Sequence, residues 1–267
     1  MNSYTKISAS LITLFAVVSV QSFAAEEDEV QDMSDPLAVY SQFGAGVTNK
    51  GLNLKYGESY DTGSASTIGM NVLELQGFGG EDLGWDNNDV KDNSLDSFRF
   101  RNFQVDITNG RGTQLDMSLA LDESPLADQS GSVSYSFIQA LPKFGKLSLY
   151  PLVGAGAAIA NNAVEDDGSI DSGYSVQGTF ALVGMYSKYA ITDKLWVNYN
   201  PFYMETLSGS NTYKDNAYGL GESSVLTHEA AVSYQFTSKF NVRYFANWTE
   251  NVSFEDGNHR VEFNYQF

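Results

Sequence analysis

Two histidines, a glycine pair and several acidic loops are the residues whose types and spacing suggest chemistry. His228 precedes Glu229 in VLTHEAAVSY, and His259 lies in NHRVEF. A hydrolytic site needs a nucleophile, a base and an orienting group within hydrogen-bond reach of one another. Adjacent residues of a strand point to opposite faces, which separates His228 from Glu229, and no serine stands at a recognisable spacing from either histidine. Both histidines read as interfacial side chains, and no enzyme activity is expected. Gly154 and Gly156 match part of the dinucleotide-binding fingerprint, but that motif needs a helix start behind it. Here the loop NNAVEDDG follows. Strand glycines more simply admit a bulky neighbour or a kink. GWDNNDVKDNSLD and VEDDGSID are rich in oxygen ligands but lack EF-hand spacing. No metal and no cofactor is expected.

The elements that carry these residues show a period of two rather than 3.6. Twelve strands are predicted, over 37–48, 52–60, 65–78, 96–107, 113–122, 130–141, 146–160, 173–188, 194–206, 224–236, 239–249 and 258–267. No stretch offers an amphipathic helix of three turns. In TQLDMSLALD, Leu115, Met117, Leu119 and Leu121 alternate with polar residues and Ala120. In KFNVRYFANW, Phe240, Val242, Tyr244, Ala246 and Trp248 share one face. Two segments break the pattern. In DSFRFRNFQVDI, Phe98 and Phe100 fall opposite Phe103, Val105 and Ile107; in TIGMNVLELQGF, Leu73 and Leu75 take over from Ile68, Met70 and Val72. A β-bulge in each would restore one apolar face; otherwise some aromatics point inward or the strands outrun the membrane.

Connections alternate between short and long. DTGS, TNGRG, LPKFGK, YAITD and TSK lie on one side; the segments 79–95, 161–171 and 208–223 lie on the other. Acidic residues gather in the long loops, and Arg111, Lys143, Lys146 and Lys239 sit in the short turns. Short turns at one end and long loops at the other characterise an outer-membrane barrel. Aromatics fall in two groups: Phe103, Tyr186, Tyr234, Phe236, Phe240, Tyr265 and Phe267 toward the turns, and Tyr174, Tyr203 and Trp248 toward the loops. Two such belts suit two membrane–water interfaces.

The chain opens with Lys6, an apolar run from Ile7 to Val20, and Ser22 and Ala24 at small-x-small spacing. Residues 1–24 read as a cleaved signal peptide. AEEDEVQDMSDP, 25–36, reads as an acidic flexible tail, leaving 37–267 as the barrel. The net charge is −18, and the leader contributes only Lys6. Nucleic-acid binding, which needs a basic surface, is excluded on that ground. There is no cysteine, so backbone pairing and packing must hold the fold.

The segment HRVEFNYQF, 259–267, places Val261, Phe263, Tyr265 and Phe267 on alternate positions. It resembles the C-terminal strand of bacterial outer-membrane β-barrel proteins of the porin-like class. That resemblance implies an all-β, closed antiparallel transmembrane up-and-down barrel of about twelve strands, within ten to fourteen. It also implies that the barrel-assembly machinery reads those four residues as an assembly signal. The surroundings would be outer-membrane lipid and lipopolysaccharide in a bacterial outer membrane, and a monomer is expected. A ring of this size is wider than the eight-stranded barrels that side chains fill. The expected role is therefore a narrow channel for small solutes, with Lys55, Arg99, Arg101, Asp106, Asp116, Glu229, Arg243, Arg260 and Glu262 as candidate lumen-lining residues. Mixed signs on the wall predict weak ion selectivity, with an acidic mouth mildly favouring cations. The alternatives are a non-conducting barrel that binds a surface partner through its loops and, less favoured, a barrel hydrolase.

Overall fold

Alternation carried through twelve segments produces twelve antiparallel strands, and sheet closure satisfies every ladder edge. The computed structural model describes residues 30–84 and 92–267. The expected signal peptide, residues 25–29 of the expected tail, and 85–91 of the 79–95 loop lie outside the described residues. The strands are β1 Gln42–Thr48, β2 Leu52–Ser64, β3 Thr67–Phe78, β4 Ser97–Asp106, β5 Arg111–Ala120, β6 Gln129–Gln139, β7 Leu147–Val164, β8 Ile170–Ala190, β9 Leu195–Gly209, β10 Ser224–Thr237, β11 Phe240–Thr249 and β12 Asn258–Gln266. Each pairs with its sequence neighbours, and β1 pairs with β12 from Gln42↔Gln266 to Thr48↔Arg260, which closes the ring. Closure matters because an open edge in hydrocarbon leaves backbone groups unsatisfied at several kcal/mol each.

The faces sort as the alternation requires. On β12, Glu262 is 1% exposed and points inward, whereas Phe263 is 48% exposed and points outward. Val261, Tyr265 and Phe267 share that outer face. The rings of Tyr234, Phe236, Phe240 and Phe263 touch in series near the turn end, and Tyr56 stacks on Phe267. Such an apolar exterior is stable against lipid and not against water.

Several expectations are corrected. The long loop expected over 161–171 is mostly strand: β7 runs 18 residues and β8 runs 21. About 9–11 residues suffice to cross a bilayer, so this hairpin is much longer than a bilayer crossing requires. A six-residue helix, α1 Asn211–Asn216, sits in the β9–β10 loop.

Of the readings left open for β3 and β4, the bulge is absent from their shared ladder, which runs unbroken from Thr67↔Asp106 to Gln76↔Ser97, and an inward aromatic, Phe103, is present. Toward the turn end these strands invert the membrane pattern instead. Met70, Val72 and Val105 are buried inside together with Phe103, and Asn71 and Asn102 face outward. Asn102 Nδ2 donates to Asn71 Oδ1 at 2.8 Å and to the Tyr60 hydroxyl at 2.7 Å. Phe103 and Tyr186, expected in the outer aromatic belt, both face the lumen.

Residues 31–41 explain the inversion. Residues 31–36 were expected as solvated tail and 37–41 as strand. In the structure they form a folded segment inside the turn end of the barrel. Asp32 and Asp35 each turn the chain, accepting from the backbone N–H of Ser34 and Leu37 at 2.9 Å. Leu37 packs both on the cluster of Met70, Val72 and Val105 and on the neighbouring cluster of Ile138, Tyr150, Leu152, Phe180 and Leu182. An inward apolar patch on a wet barrel needs such a cover, because burying it removes apolar surface from water.

Candidate functional site

The lumen is the chemically distinctive region, and glycine shapes its seam. On β1 the inward positions are Gln42, Gly44, Gly46 and Thr48. A Cβ on Gly44 would lie 2.7 Å from Asn264 Oδ1 and 3.0 Å from Lys55 Cε. Lacking that carbon, β1 lets Lys55 on β2 reach Glu262 on β12, with Nζ 2.5 Å from Oε1. Asn53 Nδ2 donates to the other Glu262 oxygen at 3.1 Å, and Arg260 Nε stands 3.6 Å from it. A buried carboxylate with three partners is adequately compensated.

The ion pairs continue around the wall. Arg101 donates to Glu74 Oε1. Arg99 binds Asp116 through two parallel contacts, Nε to Oδ1 at 2.9 Å and Nη2 to Oδ2 at 2.5 Å, the fork geometry that a guanidinium matches to a carboxylate. Gln114 Nε2 donates to Asp116 at 2.9 Å and its Oε1 accepts from Tyr186 at 2.9 Å. This carries the network from β5 across to β8, where Tyr186 meets Phe202 edge to face. On the other side Arg243 donates to Ser233 Oγ and Asn198 Oδ1, both at 3.0 Å. Arg243 and Arg260 flank the Phe245 ring at 4.9 and 4.3 Å from its centroid, where the negative ring face favours a cation. Glu229 Oε1 accepts from Asn200 at 2.8 Å.

Eight of the nine expected lumen residues therefore meet inside. Asp106 does not. It lies at the β4–β5 turn, accepting from the Thr108 N–H at 2.9 Å and from Asn109 Nδ2 at 2.9 Å. The β3–β4 ladder runs without the bulge that would have turned this position inward. Glu74 and Asn198 escaped notice in the sequence, and Tyr186 was expected on the outer face. Glu74 alone left a trace there: it is the acidic residue between Leu73 and Leu75, where the apolar face changes sides.

The opposite wall is small or apolar. β6 presents Ser132, Ser134 and Ser136 inward, and β8 and β9 present Phe180, Leu182, Phe202 and Met204. Gly156 has the role expected of a strand glycine: a Cβ there would be 2.5 Å from Phe180 Cζ. Gly184 similarly sits under Phe202.

Two neighbouring cavities result. The lower, about 360 Å³, has residues 33–40 as its floor and Lys55, Arg99, Arg101, Arg243 and Arg260 in its walls. The upper, about 630 Å³, opens toward the loops and shares Arg99, Arg101 and Tyr186 with the lower. Arg99 remains 41% exposed on its side chain despite its carboxylate partner. The floor is anchored by Lys188 to Asp32 at 3.1 Å, Lys188 to Ser34, Tyr150 to Asp35 at 2.9 Å, and Gln31 N–H to Gln266 at 3.1 Å.

The histidines face outward. His228 Nδ1 is 2.8 Å from the Tyr199 hydroxyl and its ring stacks on Trp248; His259 Nδ1 is 2.7 Å from the Tyr244 hydroxyl. Glu229, on the opposite face from His228, belongs to the lumen.

No protein-family model matches the chain, and no curated protein matches it. Among solved structures, the NanC porin superposes with a TM-score of 0.50 at 7% identity, over 85% of this chain and 98% of the porin. An outer membrane channel from Pseudomonas putida F1 gives 0.50 at 8% identity, over 91% of this chain and all of the channel. Identity this low speaks for architecture alone: the closed twelve-strand barrel described here has the fold of porin-like outer-membrane barrels.

Proposed function

We propose that the protein is a narrow outer-membrane channel for small solutes, restricted at its turn end by residues 31–41. The carrying observation is the wet, charged interior: a guanidinium as exposed as Arg99 inside a ring with an apolar exterior has water for a neighbour. An interior meant only for stability would be filled, as in eight-stranded barrels. The fold shared with the NanC porin and the Pseudomonas channel is consistent with this reading. Single-channel recording in planar bilayers tests it. Small unitary steps are expected, and a bilayer that stays sealed at high loading of folded protein would reject the channel.

A second reading is favoured by the projecting β7–β9 region. Ile170, Tyr174, Val176 and Leu207 are exposed there, and Asp166 ties the β7–β8 tip to the β9–β10 loop through Asn211 and Thr212. An ordered, apolar rim of this kind suits a surface partner. Trimming 163–171 would then abolish that binding without affecting barrel assembly.

A further inference from the structure

The two cavities are unequal in chemistry and share Arg99, Arg101, Tyr186 and Glu229 in their walls. Five cationic side chains and three carboxylates, Asp35, Glu74 and Glu229, line the lower one. Arg243 has only neutral hydrogen-bond partners, Ser233 and Asn198. Arg101 Nε and Arg260 Nε are buried without a hydrogen-bond partner, although Arg101 Nη2 pairs with Glu74 and Arg260 Nε stands 3.6 Å from a Glu262 oxygen. Buried guanidinium donors left unmade are costly, and an incoming anion would satisfy them. Directly above, Phe202 and Met204 present half-buried apolar surface to the upper cavity, backed by Phe180 and Leu182. Cavities of a few hundred Å³ with an apolar wall and a few convergent polar groups are typical of small-molecule sites.

We propose that the lumen holds a binding site for small amphipathic organic acids, with the carboxylate between Arg101 and Arg260 and the apolar body against Phe202 and Met204. This rests on the channel reading and names its solute class. Acidic loops at the mouth do not forbid it, because exposed charges are screened beyond about 8 Å at physiological ionic strength.

The test is calorimetric titration of folded, detergent-solubilised protein with 3-phenylpropionate, against 3-phenylpropanol and acetate. The acid should bind about tenfold or more tightly than either control, since one lacks the charge and the other the apolar body. Arg260→Gln should weaken the acid by about tenfold or more and leave the alcohol unchanged. Met204→Glu lies outside the ion-pair network and serves if Arg260→Gln does not fold; it should abolish acid binding. Equal binding of acid and alcohol, or undiminished acid binding in a folded variant, overturns the proposal. Absent binding in a barrel that conducts overturns this proposal alone, whereas sealed bilayers overturn the channel reading beneath it.

Discussion

Lys55 and Glu262 meet across a strand to which neither belongs, Nζ to Oε1 at 2.5 Å over the glycines of β1. They join β2 to β12 and so brace the seam where the two ends of the sheet close. Removing one partner of a buried pair leaves an uncompensated charge and costs about 3–5 kcal/mol, whereas replacing both by apolar residues costs far less. Glu262→Gln should therefore lower the urea midpoint of the folded band on unheated SDS gels substantially, and Lys55→Met combined with Glu262→Met should recover most of the loss. Equal losses in both variants would show that the pair is not what braces the seam.

Residues 31–41 narrow the turn end by bonding to β12 through Gln31 and to β7 and β8 through Asp35 and Asp32, with Leu37 buried on the apolar patch. Deleting 31–40, or substituting Leu37→Asp, should raise unitary conductance while strand content by circular dichroism stays unchanged. The substitution places a charge among buried apolar side chains, which is unfavourable without a partner. Conductance equal to that of the intact chain would mean that solutes pass the segment without displacing it.

Asp96 precedes β4 in the loop that joins it to β3, and its carboxyl is pushed up to about 6, first by burial and then by Asp122, with Lys50 pulling the other way. A folded-state carboxyl that keeps its proton to higher pH than its ordinary value of 3.8 favours the fold when protonated. Stability of this corner should fall as pH rises from about 4 to about 6 and stay level above. Asp96→Asn should remove that slope and stabilise the corner at neutral pH. Protection factors of the Asp96 and Leu121 amides, which bond to Gln76 and Asp96 carbonyls, read this directly.

Asp166 is exposed, and its pKa is lowered, first by the backbone N–H groups of Thr212 and Asn211. Its contribution is present above the ordinary carboxylate value and is lost as pH falls through the lowered one. Asp166→Asn should speed hydrogen exchange at 210–216 at neutral pH and leave exchange in the barrel strands unchanged. Unaltered exchange in the loop would remove the latch.

The amino-acid sequence by itself determined an all-strand chain of about twelve segments, within ten to fourteen, the sorting of loops and turns, and which face of β12 is apolar. Those features follow from a period of two and from turn chemistry, both local properties. It also marked the trouble at β3 and β4 without resolving it, because a bulge and an inverted face leave the same trace in one dimension. Only the tertiary structure decided between them. The cover for Met70, Val72 and Val105 is Leu37 and Val39, more than thirty residues away and set in a stretch whose acidity reads as solvated. The same holds for the lumen. Parity put Arg243 and Glu262 inside and left Arg99 open, and the partners of all three, Asn198, Lys55 and Asp116, depend on which strands become neighbours and on ring closure, which no local pattern encodes.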